Sequence, residues 1–358
     1  MPAHAQQRLD GQAGATGAPA AQVPWLSILI PVYNVAPYLR ECLDSVLSQA
    51  APDVEILLVD DGSTDGSARI CAEIRERHAG VRLLCHERNR GLSAARNTLL
   101  EAAAGRYVWF VDSDDRMLPG ALATLRAILT AQEPDMVLCD YRERARVRSG
   151  FAGAANVLGR GREALVHGVF ASRRTYSWSR IVRRELWGAD LRFPVGRCFE
   201  DIATTPWLCL RAASYYYSPE PWIDYRVRDD SIMAAAVRYR RSFDRRMNDD
   251  LAAALGGFRA AAAAVLPRMA APTRLAIAEF CARDYAGIGW RLLWAHLTWG
   301  ARGPFFAELR RYRVQIERES PAGFGRVFAA ALRRFRLKLC VQLGVMLVLG
   351  ARRRTARE

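Results

Sequence analysis

Three short apolar runs, each breaking into a cluster of polar groups, constrain this 358-residue chain more than any other feature. Tyr107-Val108-Trp109-Phe110-Val111 ends at Asp112-Ser113-Asp114, and Val54-Glu55-Ile56-Leu57-Leu58-Val59 runs into Asp60-Asp61-Gly62-Ser63-Thr64-Asp65. Leu26-Ser27-Ile28-Leu29-Ile30 breaks at Pro31 and ends in Tyr33 and Asn34. Runs rich in aromatic and β-branched residues read as buried strands. Between them lie helical patterns over 37–49, 67–78 and 92–104. Strand, helix, strand at this spacing implies right-handed crossovers and an α/β fold with a mostly parallel sheet. All three polar clusters then fall along the carboxyl rim of that sheet, where open α/β sheets bind ligands. Two carboxylates on such a rim can hold a hard divalent cation against a diphosphate.

Each cluster also has a structural reading. An isolated Asp-x-Asp is more often a solvated turn capping the next helix. Ser63, Thr64 or Asp65 is placed to cap the helix that follows it, but capping leaves two adjacent acids directly after the strand unexplained.

Four motifs in order resemble those of family 2 glycosyltransferases, inverting enzymes with a GT-A nucleotide-sugar-binding domain. They are Ile30-Pro31-Val32-Tyr33-Asn34, Val59-Asp60-Asp61-Gly62-Ser63-Thr64-Asp65, Asn89-Arg90-Gly91-Leu92-Ser93-Ala94-Ala95-Arg96-Asn97 and Phe110-Val111-Asp112-Ser113-Asp114-Asp115. The match covers roughly residues 25–232. It implies a donor site for a nucleoside-diphosphate sugar built from Pro31, Tyr33, Asn34, Asp60, Asp61, Arg96, Asp112 and Ser113. Tyr33 would stack on the base or wall it. Asp60 and Asp61 would read base and ribose, and a uracil N–H favours a UDP-sugar. Arg96 would approach the diphosphate, since guanidinium matches phosphate oxygens in pairs. Asp114 would ligate Mg2+ or Mn2+ directly, with Asp112 on the ribose or on the metal through water.

Inversion at an anomeric carbon also needs a general base for the acceptor hydroxyl. Phe193-Pro194-Val195-Gly196-Arg197-Cys198-Phe199-Glu200-Asp201 leads into an apolar helical pattern over 202–212 and is similar to the family's Glu-Asp motif. The resemblance gives Asp201 as base and Glu200 as the fallback. The structural alternative is that both acids only complement the helix dipole. Trp178-Ser179-Arg180 resembles the Trp-x-Lys/Arg stretch before the base, and Tyr225-Arg226-Val227-Arg228-Asp229-Asp230-Ser231-Ile232 resembles the stretch after it. Arg226 and Arg228 would close over the diphosphate. Polymerising members carry Gln-x-x-Arg-Trp after the base, and no such string occurs here. The expectation is therefore nonprocessive transfer of one or a few sugars to a glycan or lipid-linked acceptor in cell-envelope or exopolysaccharide synthesis.

Composition bounds the remainder. The order of segments reads as a disordered lead (1–23), a GT-A domain (24–232) with donor half 24–141 and acceptor half 142–232, and an α-helical C-terminal region (233–358) broken at Pro267, Pro272 and Pro304. Eight cysteines include no Cys-x-x-Cys pair and five histidines show no ligand spacing, which argues against a zinc site or a disulfide framework. Residues 1–23 have neither a basic start nor an apolar core, so a cytoplasmic, reduced location is expected. Net charge is +15, with much of the excess in the C-terminal third. Residues 324–339 mix Phe328, Leu332, Phe335 and Leu339 with arginines, and the apolar 343–349 precede Arg352-Arg353-Arg354. That apolar stretch is shorter than the ~20 residues that span a bilayer. It reads either as a basic helix on an anionic membrane surface, at the inner face of the plasma membrane, or as a helix packed on the domain. A nucleic-acid-binding protein has only the charge in its favour, without zinc ligands or a helix-turn-helix signature. A nucleotidyltransferase would open with a Gly-rich phosphate loop where this chain has Pro31-Val32-Tyr33-Asn34.

Overall fold

The computed structural model describes residues 23–228, 245–299 and 305–351. The expected lead, the end of the Tyr225–Ile232 motif, the break at Pro304 and the Arg352–Arg354 run lie outside or almost wholly outside these residues. The donor half alternates as expected: β1 (Leu26–Val32), α1 (Ala36–Leu47), β2 (Val54–Asp60), α2 (Ser67–Arg77), β3 (Val81–Cys85), α3 (Leu92–Ala102), β4 (Tyr107–Phe110), β5 (Arg116–Met117) and α4 (Ala121–Gln132). It continues through β6 (Met136–Glu143), β7 (Arg146–Arg148), β8 (Leu158–Arg160), α5 (Arg162–Ser172), β9 (Arg180–Arg183), α6 (Glu200–Arg211) and β10 (Ser214–Tyr225). Among the described residues six helices follow: α7 (Arg245–Ala253), α8 (Phe258–Val265), α9 (Ala271–Trp299), α10 (Phe305–Glu319), α11 (Phe324–Arg333) and α12 (Leu337–Ala351).

The strands form one sheet in the order β3-β2-β1-β4-β9-β6-β10-β5, with β7 on β6 and β8 on β10. Along that path only β9 and β5 run against the rest, so the sheet is mostly parallel. Side-chain alternation sends Ile28 and Ile30 to a core with Leu39, Ile70 and Leu125 on one face. Leu29 and Phe110 enter the other face with Leu99, Val169 and Leu208. The C-terminal helices extend this second core, Phe170 meeting Phe258 and Phe280 at 5.2 Å between ring centroids.

β1 does not break at its proline. Pro31 sits inside the strand, in register with Val59. Leu29 turns its carbonyl toward β4, accepting the Val111 N–H at 3.0 Å, and two residues on Pro31 faces the same side. There β4 has already ended, so the absent N–H costs no ladder bond. Asp65, rather than capping α2 alone, ties two helix starts together. One carboxylate oxygen accepts the Ser67 N–H (3.0 Å) and the other the Ala36 N–H (2.9 Å).

Gly62 turns the chain past the second rim cluster with φ +72, and a Cβ there would lie 2.6 Å from the Arg88 carbonyl carbon. Both the left-handed backbone and the backbone contact exclude a side chain. Gly62→Ala is expected to lower unfolding free energy by about 3 kcal/mol in urea titration, and a loss below about 1 kcal/mol would contradict this close approach.

Candidate active site

The rim of the sheet carries the first set of polar groups. Tyr33 follows β1 with 45% of its surface exposed, so it is available to a flat ligand and is not a core residue. Asn34 takes a left-handed backbone (φ 49). Its side-chain oxygen accepts the Thr64 N–H at 2.8 Å and its own N–H reaches Ser63 Oγ at 3.2 Å, which stitches the loops after β1 and β2 together. Asp60 and Asp61 are both buried, but their surroundings differ. Asp61 accepts the N–H groups of Arg90 (2.9 Å) and Gly91 (2.8 Å) and also contacts His86 Nδ1. It thereby holds the glycine turn that opens α3. Asp60 accepts the Ser63 N–H at 3.3 Å.

Arg96 is the hub of the second set. Its guanidinium is 1% exposed and reaches Asp112 Oδ1 at 2.9 Å, Glu200 Oε1 at 2.9 Å and Asp201 Oδ1 at 3.1 Å. The rings of Phe110 and Phe193 flank it. Its terminal nitrogens join the acid after β4 to the Glu-Asp pair, and its Nε, buried with no hydrogen-bond partner among the described residues, is left over. Asn97 supports the same junction, pairing through its side-chain amide with the Phe193 N–H (2.9 Å) and carbonyl (2.8 Å). α6 begins at Glu200, two residues earlier than expected, because Phe199 takes a left-handed turn (φ 60) and feeds both acids into the first helical turn. That position favours negative charge, and Ser177 donates a hydrogen bond to Asp201.

Electrostatics follow from this crowding. Burial opposes charge on Arg96, but Asp201, Asp112 and Glu200 outweigh it and hold the cation firmly protonated. Burial and the neighbouring Asp201 push Glu200 up to about 7, against the pull of Arg96. Asp201 is also raised by burial, with Arg96 and the Ser177 hydrogen bond holding it down.

The third set surrounds Asp114. Burial and repulsion from Asp112 raise its pKa, while Arg228, whose Nε lies 2.7 Å from Asp114 Oδ2, opposes the shift. Arg226 donates from Nε to the Asp114 carbonyl (2.9 Å), from its backbone N–H to Asp115 Oδ1 (2.8 Å), and pairs with Glu41. Both guanidinium groups lie against the ring of Tyr38. The chain end of β10 is thus folded onto the β4 acids. Asp115, to which the sequence reading gave no role, is buried, and its Oδ2 has no hydrogen-bond partner among the described residues. Burial and the charges of Asp112 and Asp114 raise its pKa strongly. Ser113 is buried between them. Three mutually repelling carboxyls with one orphaned oxygen form a site that a hard cation would relieve, although no group of three ligand side chains converges among the described residues. Asp112 and Asp114 are carboxylates that could hold such an ion.

An aromatic stack stands beside β4 and β6. Trp178 is stacked between Tyr176 (4.9 Å) and Tyr225 (5.7 Å), with Tyr141 edge-on. Its carbonyl accepts Trp109 Nε1 at 2.8 Å, which braces the stack against β4. Arg180 is buried beneath it and bonds the Tyr176 carbonyl and Ser179 Oγ. Asp115 could have been suspected from its place next to Asp114, whereas nothing in the sequence marked His86, Ser177, Tyr38 or Glu41.

These features have known counterparts. The model of "Glycosyl transferase family 2" matches residues 27–178. The uncharacterized glycosyltransferase EpsJ of Bacillus subtilis is 36% identical over 170 residues, 46% of this chain and 49% of EpsJ. The glycosyltransferase GlyG of Streptococcus pneumoniae is 30% identical over 219 residues, 58% of this chain and 72% of GlyG. The chain therefore spans about half the length of EpsJ and more of GlyG. Among solved structures, Staphylococcus aureus TarS residues 1–349 in complex with UDP-GlcNAc superposes with a TM-score of 0.65, 91% of this chain and 89% of that one, at 20% identity. The chain belongs to glycosyltransferase family 2 and has a GT-A type α/β fold.

Proposed function

We propose that the protein transfers a single sugar, with inversion, from a nucleoside-diphosphate sugar, UDP-linked by preference, to a hydroxyl of a glycan or lipid-linked acceptor of the cell envelope. The observation that carries this reading is the ion-pair hub in which Arg96 draws Asp112 and the Glu200–Asp201 pair to one point. A donor whose diphosphate lies against the β4 acids has its anomeric carbon near the α6 acids. In this reading Tyr33 walls the base, Asp60 reads it, and Asp61 holds the turn beside it. Asp112 and Asp114 hold Mg2+ or Mn2+, which as a Lewis acid stabilises the departing diphosphate. Arg226 and Arg228 pair with diphosphate oxygens, and Asp201 accepts the proton of the attacking hydroxyl. Arg96 keeps Asp201 aimed and opposes the rise that burial imposes on its carboxyl, while Ser177 donates a hydrogen bond to it. TarS, solved in complex with UDP-GlcNAc, supports a nucleotide-sugar donor through likeness of fold. A nucleotidyltransferase is not favoured, since family and site agree on sugar transfer.

Asp114→Asn tests the donor site. It halves the negative charge available to a cation, so metal-dependent UDP affinity is expected to fall by about 100-fold or more. Calorimetric titration with UDP, with and without Mn2+, reads this directly, and an unchanged metal dependence would remove Asp114 from the site. The fold is expected to survive, because burial and Asp112 already disfavour the charged form of this carboxyl.

A further inference from the structure

The basic, apolar tail does not form one helix. It folds back at Phe335, which takes a left-handed backbone (φ 52) between α11 and α12. The reversal lets Leu339, Leu343 and Met346 of α12 pack into the core around α9, with Tyr285 donating a hydrogen bond to the Met346 carbonyl at 3.0 Å. Glu279 of α9 anchors the turn through Arg334 and Arg336. Packing of α12 is thus settled, and it leaves a second surface over.

Residues 332–338, Leu-Arg-Arg-Phe-Arg-Leu-Lys, are all exposed. Phe335 is 86% exposed, the most of any large apolar side chain among the described residues, and Leu337 and Leu332 are 67% and 54% exposed. From Leu337 the outer face of α12 continues through Val341, Val345 and Val348, spaced by 4, 4 and 3 residues, so this helix is apolar on both faces. No acidic residue occurs between 324 and 351. Arg326, Arg333 and Lys338 flank the apolar tip and are not ion-paired among the described residues.

We propose that the α11–α12 knuckle docks on an anionic lipid bilayer, with Leu332, Phe335 and Leu337 entering the headgroup layer and Arg326, Arg333 and Lys338 meeting lipid phosphates. Charge selects this occupant. A second copy using the same patch would set arginines against arginines. A single-stranded nucleic acid would stack on aromatic rings, whereas this surface has one ring among aliphatic side chains that bases cannot stack on. Alternating apolar and cationic residues on an exposed convex turn suit the bilayer interface. No helix among the described residues is long and apolar enough to cross a membrane, so the contact is with the surface. The knuckle includes none of the donor residues, and the inference stands whatever sugar is transferred.

Flotation of the full chain with phosphatidylcholine vesicles, with and without phosphatidylglycerol, tests it. The wild type is expected to float with the anionic vesicles alone and to be released by salt. Phe335→Asn removes the ring while suiting the left-handed backbone, so folding is preserved and partitioning is expected to fall about tenfold. Arg333→Glu with Lys338→Glu should abolish flotation and leave UDP binding unchanged. Equal flotation of Phe335→Asn and wild type, or equal flotation on neutral vesicles, would overturn the proposal. So would displacement from vesicles by an oligonucleotide, or a dimer in light scattering that Phe335→Asn splits.

Discussion

Replacing Arg96 by alanine is expected to abolish transfer and to lower folding stability by about 3–5 kcal/mol at neutral pH, since it strips the counter-charge from three partly buried carboxylates. The effect has a sign in pH. Glu200 and Asp201 are raised by burial even with Arg96 present, Glu200 to about 7. A carboxyl raised in the fold contributes most below its unfolded value and loses that contribution as pH rises through its folded value. Without Arg96 the raising grows, so the deficit of the variant should be largest above about pH 7 and shrink toward about pH 5. Urea unfolding of both proteins at those two values would show it, and an equal deficit at both would mean that the hub contributes packing rather than charge. Arg96→Lys should restore part of the stability and little transfer, because an ammonium cannot span Asp112 on one side and Glu200 with Asp201 on the other.

Asp201→Asn is expected to reduce turnover by about 100-fold or more while leaving UDP affinity near that of the wild type. Asparagine keeps the shape and the Ser177 contact but cannot take a proton. It also relieves repulsion with Glu200, so the variant should be at least as stable as the wild type near pH 8, which separates a chemical defect from a folding one. Glu200→Gln is the necessary companion. Glu200 shares the same guanidinium and titrates near neutrality, which suits a base. Near-normal turnover in Asp201→Asn together with a dead Glu200→Gln would transfer the role to Glu200.

Strands β1, β2 and β4 and the helices between them were legible because burial in a parallel sheet demands continuous apolar runs, and each run ends where water and ligand begin. Gly91 at the start of α3 and the acids after β2 and β4 were legible for the same local reason. The sequence by itself thus determined the alternation, the rim and the family, all of which are written within spans of some twenty residues. Three things it left to the tertiary structure. The break expected at Pro31 disappears because β4 stops short, a property of the neighbouring strand and not of the proline. Arg96 meets Glu200 and Asp201 across 104 and 105 residues of chain, a pairing that nothing near it in the sequence marks. The tail, read as one basic helix, turns back at Phe335 because the core around α9 takes Leu339, Leu343 and Met346. In each case the deciding partner lies far along the chain, and only the packing of the whole domain sets whether a charged group meets solvent, ligand or another charge.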